Sequence, residues 1–176
     1  MSEVLEIARL GHSILRQQAE IVDNIRDSQI QVLIDNLIAT ALEAKGVGIA
    51  APQVACTSRL FIVASRPNSR YPHAPVMPPT AMLNPRILAC SEVMEKDWEG
   101  CLSVPGVRGL VPRYREIEVD YCDRDGNLQK DILTGFIARI FQHELDHLDG
   151  ILFIDRLESP EDRFTEAEYQ KIVTGC

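Results

Sequence analysis

The sequence predicts a single domain, residues 1–176, in which helices combine with an antiparallel sheet. The first observation behind this prediction is the stretch at 30–42, where apolar residues repeat at the spacing of a helix with one buried face. The second is the alternation of acidic and apolar residues at 116–121, followed by an Asp-Gly turn signal at 125–126, which is typical of a β-hairpin. The third is the length, since 176 residues bury enough apolar surface for one core.

The first half of the chain is predicted to contain a core helix and a buried strand. The helix begins where Asp27 or Ser28 can cap it. It ends at Gly46, after Lys45 in its last turn, because glycine is the usual stop of a helix. The apolar run at 60–64 has the length and composition of a buried strand.

A proline-rich segment at 66–79 follows this strand. It contains five of the ten prolines and no periodic apolar pattern, so it predicts a loop that is long enough to act as a lid. His73 lies in the loop and is expected at the surface. Two strand pieces are predicted after the loop, at 82–85 and 86–89.

The second half is predicted to hold a cysteine loop, the hairpin and a second helix. A glycine before Cys101 and a Ser-Val-Pro-Gly turn after it predict a loop at 99–106 that presents the sulfur. The second strand of the hairpin covers 128–133. Thr134 can cap the next helix, which ends at Gly150.

A short apolar strand at 151–154 and a helical tail at 159–176 complete the predicted elements. Two residues can cap the helix of the tail. Ser159 is followed by a proline at the first helical position, and Thr165 is followed three residues later by an acid.

Composition and charge narrow the functional classes. The net charge of −8 disfavours contact with phosphates, so no direct binding of DNA or RNA is expected. The chain has no apolar run of the roughly 20 residues that span a membrane, and its N-terminus does not resemble a signal or transit peptide. Five cysteines without paired spacing argue against a disulfide framework and for a reducing compartment. We expect a cytoplasmic monomer, organellar only if a presequence has been removed.

The stretch at 142–147, Gln-His-Glu-Leu-Asp-His, predicts a catalytic metal site. On a helix, His143 and His147 lie one turn apart on the same face, so both imidazoles can reach one metal ion. Glu144 is rotated by about 100° around the helix axis, where it can face a reacting water instead of the metal. The alternative is a solvated helix whose histidines are incidental.

A catalytic site of this kind needs a third protein ligand. Cys101 is one candidate, because its loop presents the sulfur. The metzincin motif HExxHxxGxxH does not fit, since Phe153 stands where its last histidine belongs. A thermolysin-like site would take a downstream glutamate, and Glu166 and Glu168 are available. The spacing leaves the cysteine and the glutamates as alternatives.

Three segments closely resemble the motifs of the peptide deformylases: 46–53 (GVGIAAPQ), 99–103 (EGCLS) and 142–147 (QHELDH). Their order and separation agree with that family, and the similarity covers most of residues 5–157. The resemblance implies an α+β fold, with antiparallel strands surrounding a central helix that carries the histidines. It also implies a metal-dependent hydrolase that removes the formyl group from the N-terminal formylmethionine of new polypeptides and releases formate.

The resemblance also implies a role for individual residues. Glu144 would be the general base and acid, and Gln53 with the Leu102 backbone N–H would stabilise the oxyanion. One divalent metal ion per chain is implied, natively Fe²⁺, with Zn²⁺, Ni²⁺ or Co²⁺ as alternatives that accept the same donor atoms. The metal ligands would be Cys101, His143 and His147.

N-formylmethionyl peptides and nascent chains are the implied substrates. A narrow site between Gly48 and Leu102 would admit formyl and exclude acetyl. Val47, Phe136 and Ile140 are candidates for the methionine pocket, although each can equally be a core residue. Some family members dock on the ribosome through a basic C-terminal helix, but the tail here is acidic, which argues against that mode.

Three hypotheses of different class follow: a deformylase, a zinc protease, and a metal-binding relic without activity. A structural metal site needs neither Glu144 nor Gln53, so the presence of both argues against the relic. The identity of the third ligand separates the other two.

Overall fold

The protein is described from a computed structural model that covers residues 2–175; Met1 and Cys176 lie outside the described residues. The described chain forms three α-helices and eight strands. The helices are α1 (Ser28–Glu43), α2 (Gly135–Leu148) and α3 (Glu166–Thr174). The strands are β1 (Gly48–Ala50), β2 (Leu60–Val63), β3 (Thr80–Cys90), β4 (Met94–Cys101), β5 (Val104–Tyr114), β6 (Glu116–Cys122), β7 (Leu128–Thr134) and β8 (Arg163–Thr165).

The strands form two antiparallel sheets. The larger sheet has the order β1-β2-β3-β6-β7, and the smaller one has the order β4-β5-β8. The predicted hairpin is confirmed as β6 and β7, with Gly126 in the turn at a positive φ of 83°. The α+β class is therefore confirmed, and all the strand pairs inside the two sheets are antiparallel.

Helices α1 and α2 cover opposite faces of the larger sheet, because successive side chains of β2 point to opposite faces. Phe61 packs on α2, where its ring meets Phe141 edge to face at 5.2 Å. Leu60 and Ile62 pack on the other side, against Leu37 and its neighbours in α1. Helix α2 thus lies in the middle of the molecule with its histidines near its C-terminal end.

The smaller sheet closes over the site-bearing end of α2. Cys101 and Val104, at the two ends of the β4–β5 turn, pack in a third apolar cluster with Leu15, Leu152 and Phe153. This cluster joins the β4–β5 turn to the N-terminal residues around Leu15 and to the segment after α2. The position of the cysteine therefore depends on three separate parts of the chain.

Several local predictions are confirmed. Asp27 caps α1, since its side chain accepts a hydrogen bond from the Gln29 N–H at 2.8 Å. Residues 66–79 contain neither helix nor strand, and His73 is exposed. Helix α2 ends before Gly150, which adopts a positive φ of 73°.

Two predictions around the site are wrong. Residues 151–154 do not form a strand; a 3₁₀ turn runs from Phe153 to Arg156, held by the Asp155 carboxylate, which accepts from the Leu152 N–H at 2.8 Å. The run is apolar because Leu152 and Phe153 are buried. A short apolar stretch does not by itself show whether its residues are buried in a strand or in another element. Residues 99–106 are not a loop either: β4 ends at Cys101 and β5 begins two residues later.

The end of α1 also differs from the prediction. Lys45, not Gly46, takes the left-handed conformation, with φ of 53°. Gly46 leaves room for the Leu102 side chain, since a Cβ there would lie 3.1 Å from it. The helix therefore stops one residue earlier than the glycine suggests.

The two predicted strand pieces form one strand, β3, with an irregularity between Leu83 and Arg86. Asn84 causes it by adopting a positive φ of 50° while its side chain bonds both the N–H and the carbonyl of Val22. Pro85 cannot donate to a neighbouring strand, which suits such a bulge.

The caps of the later helices are only partly as predicted. Thr165 caps α3, but Ser159 caps only a 3₁₀ turn. Thr134, the last residue of β7, occupies the N-cap position of α2 without a side-chain capping bond.

No helix in the described part of the chain is long and apolar enough to cross a membrane. Among the same residues, four of the five cysteines are free thiols, and the fifth, Cys176, is outside the described range. The free thiols are Cys56, Cys90, Cys101 and Cys122.

Gly150 provides a test of the packing at the end of α2. A Cβ at Gly150 would lie 2.7 Å from the Arg16 carbonyl oxygen, whereas one at Gly126 would meet nothing within 4 Å. Both glycines have positive φ, so Gly126→Ala should lose only the ~1 kcal/mol of the strained conformation. Gly150→Ala should lose about 1–3 kcal/mol more, because the Arg16 backbone must move. Urea unfolding of both variants measures this difference, and equal losses would contradict the packing described.

Candidate metal centre

Three side chains of different elements converge beside the C-terminal half of α2. His143 and His147 lie one turn apart on the helix, and Cys101 reaches them from the end of β4. One donor atom of each lies within 4.8 Å of the others, and the Cys101 Sγ is 3.2 Å from the His147 Nε2. Cys101 is 4% exposed and His147 1% exposed. This is the one group of three such metal-binding side chains found within residues 2–175.

A buried carboxylate orients the first histidine. The Glu99 Oε2 lies 2.8 Å from the His143 Nδ1, which leaves the Nε2 of that ring directed at the cluster. Arg113 and Arg139 each bond the other carboxylate oxygen of Glu99 at 2.9 Å. Metal-binding histidines are usually held through their second nitrogen in this way, which sets both the tautomer and the ring orientation.

The same network continues to the last turn of α2. Arg113 bonds the Asp146 carboxylate at 2.6 Å, and Arg156 bonds its other oxygen at 2.7 Å. Arg113 and Asp146 are both less than 10% exposed. Strand β5 is thereby tied to the helix at the level of the two histidines.

Electrostatic interactions in the cluster favour the ionised forms of Cys101 and Glu99 in spite of their burial. Burial alone would raise the pKa of the Cys101 thiol, but the His147 and His143 imidazoles hold that pKa well below its usual value. The pKa of Glu99 is likewise low in spite of burial, because of Arg113 and the hydrogen bond to His143. A thiolate is the form of cysteine that ligates a metal.

Glu144 faces the cluster with one oxygen that has no protein partner. The residue is 4% exposed, and its Oε2 is buried without a hydrogen bond among the described residues. Burial raises the pKa of Glu144 to about 7, against the influence of His143 and His147. Gly48 makes room for this carboxylate, since a Cβ on Gly48 would lie 2.5 Å from the Glu144 Oε1.

Gln53 reaches the cluster from the opposite side. It lies in the 3₁₀ turn that follows β1, and it is 1% exposed. Its Nε2 is 3.5 Å from the Cys101 Sγ and 3.1 Å from the Ser103 Oγ. A side-chain amide N–H therefore points into the same space as the carboxylate of Glu144.

One cleft is lined by Gln53, Cys101, His143 and Glu144. All the residues predicted for substrate binding lie on its wall, as does Leu102 at the β4–β5 turn. Ile140 is also part of the apolar core behind the wall, and its role in substrate binding stays a prediction. The substrate-binding predictions concern Val47, Gly48, Phe136 and Ile140.

The two glutamates of the thermolysin-like ligand set make their contacts away from the histidines. The Glu166 Oε2 accepts from the Arg108 Nε at 2.8 Å, and the Glu168 Oε2 accepts from the Thr165 N–H at 2.7 Å. Phe153 stacks on the His143 ring, with centroids 6.1 Å apart. The structure therefore brings the cysteine, and neither glutamate, to the two histidines.

Sequence reasoning missed the residues that hold the site together. Glu99 and Asp146 stood inside the motifs without an assigned role, and Arg113 and Arg139 were not singled out. Their proximity to the motifs was the only signal in the sequence, because their partners are 14 to 44 residues away along the chain. The contribution of Arg70, Tyr71 and Trp98 to the cleft wall was not predicted either.

The donor set fits a catalytic divalent metal. One thiolate and two imidazoles are three protein ligands, which leaves a position for a reactant, as catalytic zinc-type sites require. Glu144, which carries the unpartnered carboxylate oxygen, lines the same cleft as Cys101 and His143. Sulfur and nitrogen donors accept iron, zinc, nickel or cobalt, so the donors alone do not select among them.

Comparison with known proteins agrees with this site. The family described as Polypeptide deformylase matches residues 4–163. "Peptide deformylase 2" of Nostoc sp. is 65% identical over 98% of this chain and 96% of its own length. "Peptide deformylase 2" of Shewanella oneidensis is 51% identical over 93% of this chain and 90% of its own length. A Met-Ala-Ser-bound class I type b peptide deformylase from Acinetobacter baumannii superposes with a TM-score of 0.86 at 48% identity, covering 89% of this chain and all of that one.

The ligand set can be tested by metal analysis of purified variants. Cys101→Ala should reduce the bound metal from about one ion per chain to nearly none, because it removes one of three protein ligands. Cys122→Ala is the matched control, since that thiol is also free and lies outside the cluster. Glu166→Ala should keep the metal. Loss of metal in Glu166→Ala together with retention in Cys101→Ala would support the protease ligand set instead.

Proposed function

The chain belongs to the polypeptide deformylase family, and from that premise we propose how its own residues carry out the hydrolysis of the formyl group on a new polypeptide. The reaction adds water to the formyl carbon, releases formate and leaves a free N-terminal amine. The observation that carries the proposal is the position of Glu144, buried with an unpartnered oxygen beside the Cys101, His143 and His147 cluster.

Cys101, His143 and His147 would hold one divalent metal ion. When bound there, such an ion acts as a Lewis acid and makes water a better nucleophile at neutral pH. Glu99 orients His143 toward the ion through the 2.8 Å contact to its Nδ1. The hydrogen-bonded Arg113 and Arg139 keep that carboxylate charged and in place.

Glu144 moves the proton of the reaction. Its carboxylate accepts a proton from the attacking water and returns it to the nitrogen of the leaving amine. Burial of this carboxylate raises its pKa toward neutral pH, where a general base and acid works best. The unpartnered Oε2 is the atom available for this transfer.

Gln53 and Leu102 stabilise the charge that develops on the formyl oxygen. The Gln53 Nε2 already points at the ligand cluster, and Leu102 lies in the turn directly after Cys101. Donors held in a buried site before the reaction stabilise an oxyanion more than water does. These two N–H groups would therefore act mainly in the transition state.

The peptide would lie along β1, the edge strand of the larger sheet, whose Gly48 lines the cleft. Main-chain pairing with an exposed strand edge is a common way to bind an extended peptide. Val47, Phe136 and Ile140 would surround the methionine side chain. The space between Gly48 and Leu102 would accept a hydrogen, as in formyl, but not the methyl group of acetyl.

We also propose Fe²⁺ as the native metal and a reducing compartment, namely the cytoplasm, as the location. A free thiol at each described cysteine supports such a compartment, since disulfides are rare there. A thiolate ligand and ferrous iron are both sensitive to oxidants. Helix α3 packs on the molecule through Tyr169 and Glu166, and its acidic sequence argues against docking on the ribosome.

The role of Glu144 predicts a loss of turnover without a loss of metal. Glu144→Gln keeps the shape of the side chain but removes the base, so kcat on a formyl-Met peptide should fall by about 10²- to 10⁴-fold. Glu118→Gln, on an exposed position of β6, is the control and should keep both metal and rate. Formate release and metal content are measured on the same samples. Wild-type turnover in Glu144→Gln would remove Glu144 from the mechanism.

The metal proposal predicts different behaviour in air. The chain, loaded anaerobically with Fe²⁺, should lose activity on a formyl-Met peptide on exposure to air, because oxygen attacks the iron and its thiolate ligand. The same protein loaded with Ni²⁺ should keep its activity much longer, since nickel is less readily oxidised. Equal decay of both forms would show that iron oxidation is not the cause.

Substrate selection is assayed on these metal-loaded samples before the exposure to air. An acetyl-Met peptide should be a poor substrate for both the iron and the nickel form, because the proposed narrow space between Gly48 and Leu102 would not admit its methyl group. The formyl-Met peptide is the matched control. If neither the iron form nor the nickel form released formate from the formyl-Met peptide, the proposed reaction itself would be refuted.

A further inference from the structure

We propose that Ser103 is a positioning residue for this reaction. Its hydroxyl accepts one hydrogen of the Gln53 side-chain amide and thereby directs the other hydrogen at the oxyanion. The inference rests on the proposed function of Gln53, and it concerns a residue that has no role in the mechanism described so far.

The oxygen end of the Gln53 side-chain amide is held by a backbone N–H. The Gln53 Oε1 accepts from the Ala50 backbone N–H at 2.9 Å. An N–H requires an acceptor, so this contact determines which end of the amide is oxygen. The Nε2 and its two hydrogens must therefore point away from β1 and into the cleft.

Ser103 then occupies one of those two hydrogens. Its Oγ is 3.1 Å from the Gln53 Nε2, whereas the other neighbour of that nitrogen, the Cys101 Sγ, is 3.5 Å away. Ser103 is completely buried, so water does not compete for the contact. The second hydrogen points to the Cys101 Sγ, on the side of the metal ligands, where the formyl oxygen would lie.

The backbones of both residues are attached to one short segment. The Ala8 N–H donates to the Gln53 carbonyl at 2.7 Å, and the Leu10 N–H donates to the Ser103 carbonyl at 2.8 Å. Ala8 and Leu10 thus bridge the turn after β1 and the turn after β4. The separation between Gln53 and Ser103 is set by this bridge as well as by their side chains.

Removal of the hydroxyl should leave the amide plane less constrained. The last torsion of a glutamine is broad, so an amide held at one end only can rotate. A displacement of about 1 Å in a catalytic group can lower the rate by about 10²-fold. Ser103 would thus influence catalysis without contact to the substrate.

A double-mutant cycle on the metal-loaded enzyme tests this role. Gln53→Leu should lower kcat by about 10²- to 10³-fold, the usual effect of losing one oxyanion donor. Ser103→Ala should lower kcat by about 10- to 10²-fold with KM unchanged, because the effect appears in the transition state. In the Gln53→Leu background, Ser103→Ala should cause no further loss, since the group that it positions is absent.

Two further measurements separate positioning from a general structural effect. Ser65→Ala is the matched control, because Ser65 is also a buried, hydrogen-bonded serine and lies outside the cleft. It should keep kcat. In the zinc-loaded protein, the two Nε2 hydrogens of Gln53 should give distinct NMR signals, one of them protected from exchange. Ser103→Ala should remove that protection.

Equal loss of kcat on Ser103→Ala in both backgrounds, or an unchanged amide signal, would overturn the inference. Unchanged kcat in Ser103→Ala alone would do the same. Unchanged kcat in Gln53→Leu would remove the oxyanion role of Gln53 itself, and this inference with it. The two failures are therefore distinguishable by which single variant keeps its rate.

Discussion

The carboxylate of Glu99 is the group on which the rest of the site depends. It sits 3% exposed between the guanidinium groups of Arg113 and Arg139 and the ring of His143. A buried charge of this kind is tolerated only when it is fully paired, and removal of one partner from such a pair commonly destabilises a protein by 3–5 kcal/mol. Strand β4 carries both Glu99 and Cys101, so the orientation of the histidine and the position of the thiol are determined by one rigid element.

The C-terminal segment contributes to the cleft from outside the catalytic motifs. Strand β8 extends the smaller sheet, and Tyr169 of α3 packs against Trp98, with ring centroids 4.9 Å apart. On the other side, Tyr71 of the 66–79 loop packs against Phe136 at 5.2 Å. Trp98, Tyr71 and Phe136 all line the cleft. The acidic tail is thus an integral part of the fold around the site.

The sequence predicted the ligand set better than the scaffold that supports it. The His143 and His147 spacing has a direct meaning on a helix, and the pattern of residues 30–42 has one as well. Cys101 could not be separated from Glu166 by spacing alone; the family resemblance favoured it, and the structure places only the cysteine beside the histidines. The resemblance rested on three motifs in register.

The scaffold was less predictable because it depends on contacts between distant residues. The pairing of Arg113 with Glu99 and Asp146 has no local signature. The bulge at Asn84 arises from a side chain that bonds a segment 62 residues away. The buried run at 151–154 resembled a strand because burial, and not pairing, determined its composition.

The shortness of β1 has a consequence for the range of substrates. This edge strand has only three residues, Gly48 to Ala50, so a peptide that pairs with it would be held by the main chain over one or two positions. Main-chain pairing does not depend on side-chain identity, because every residue except proline offers the same donor and acceptor. Discrimination would then come only from the first side chain and its acyl group. An enzyme built this way would be a generalist, able to process chains whose later sequences have nothing in common.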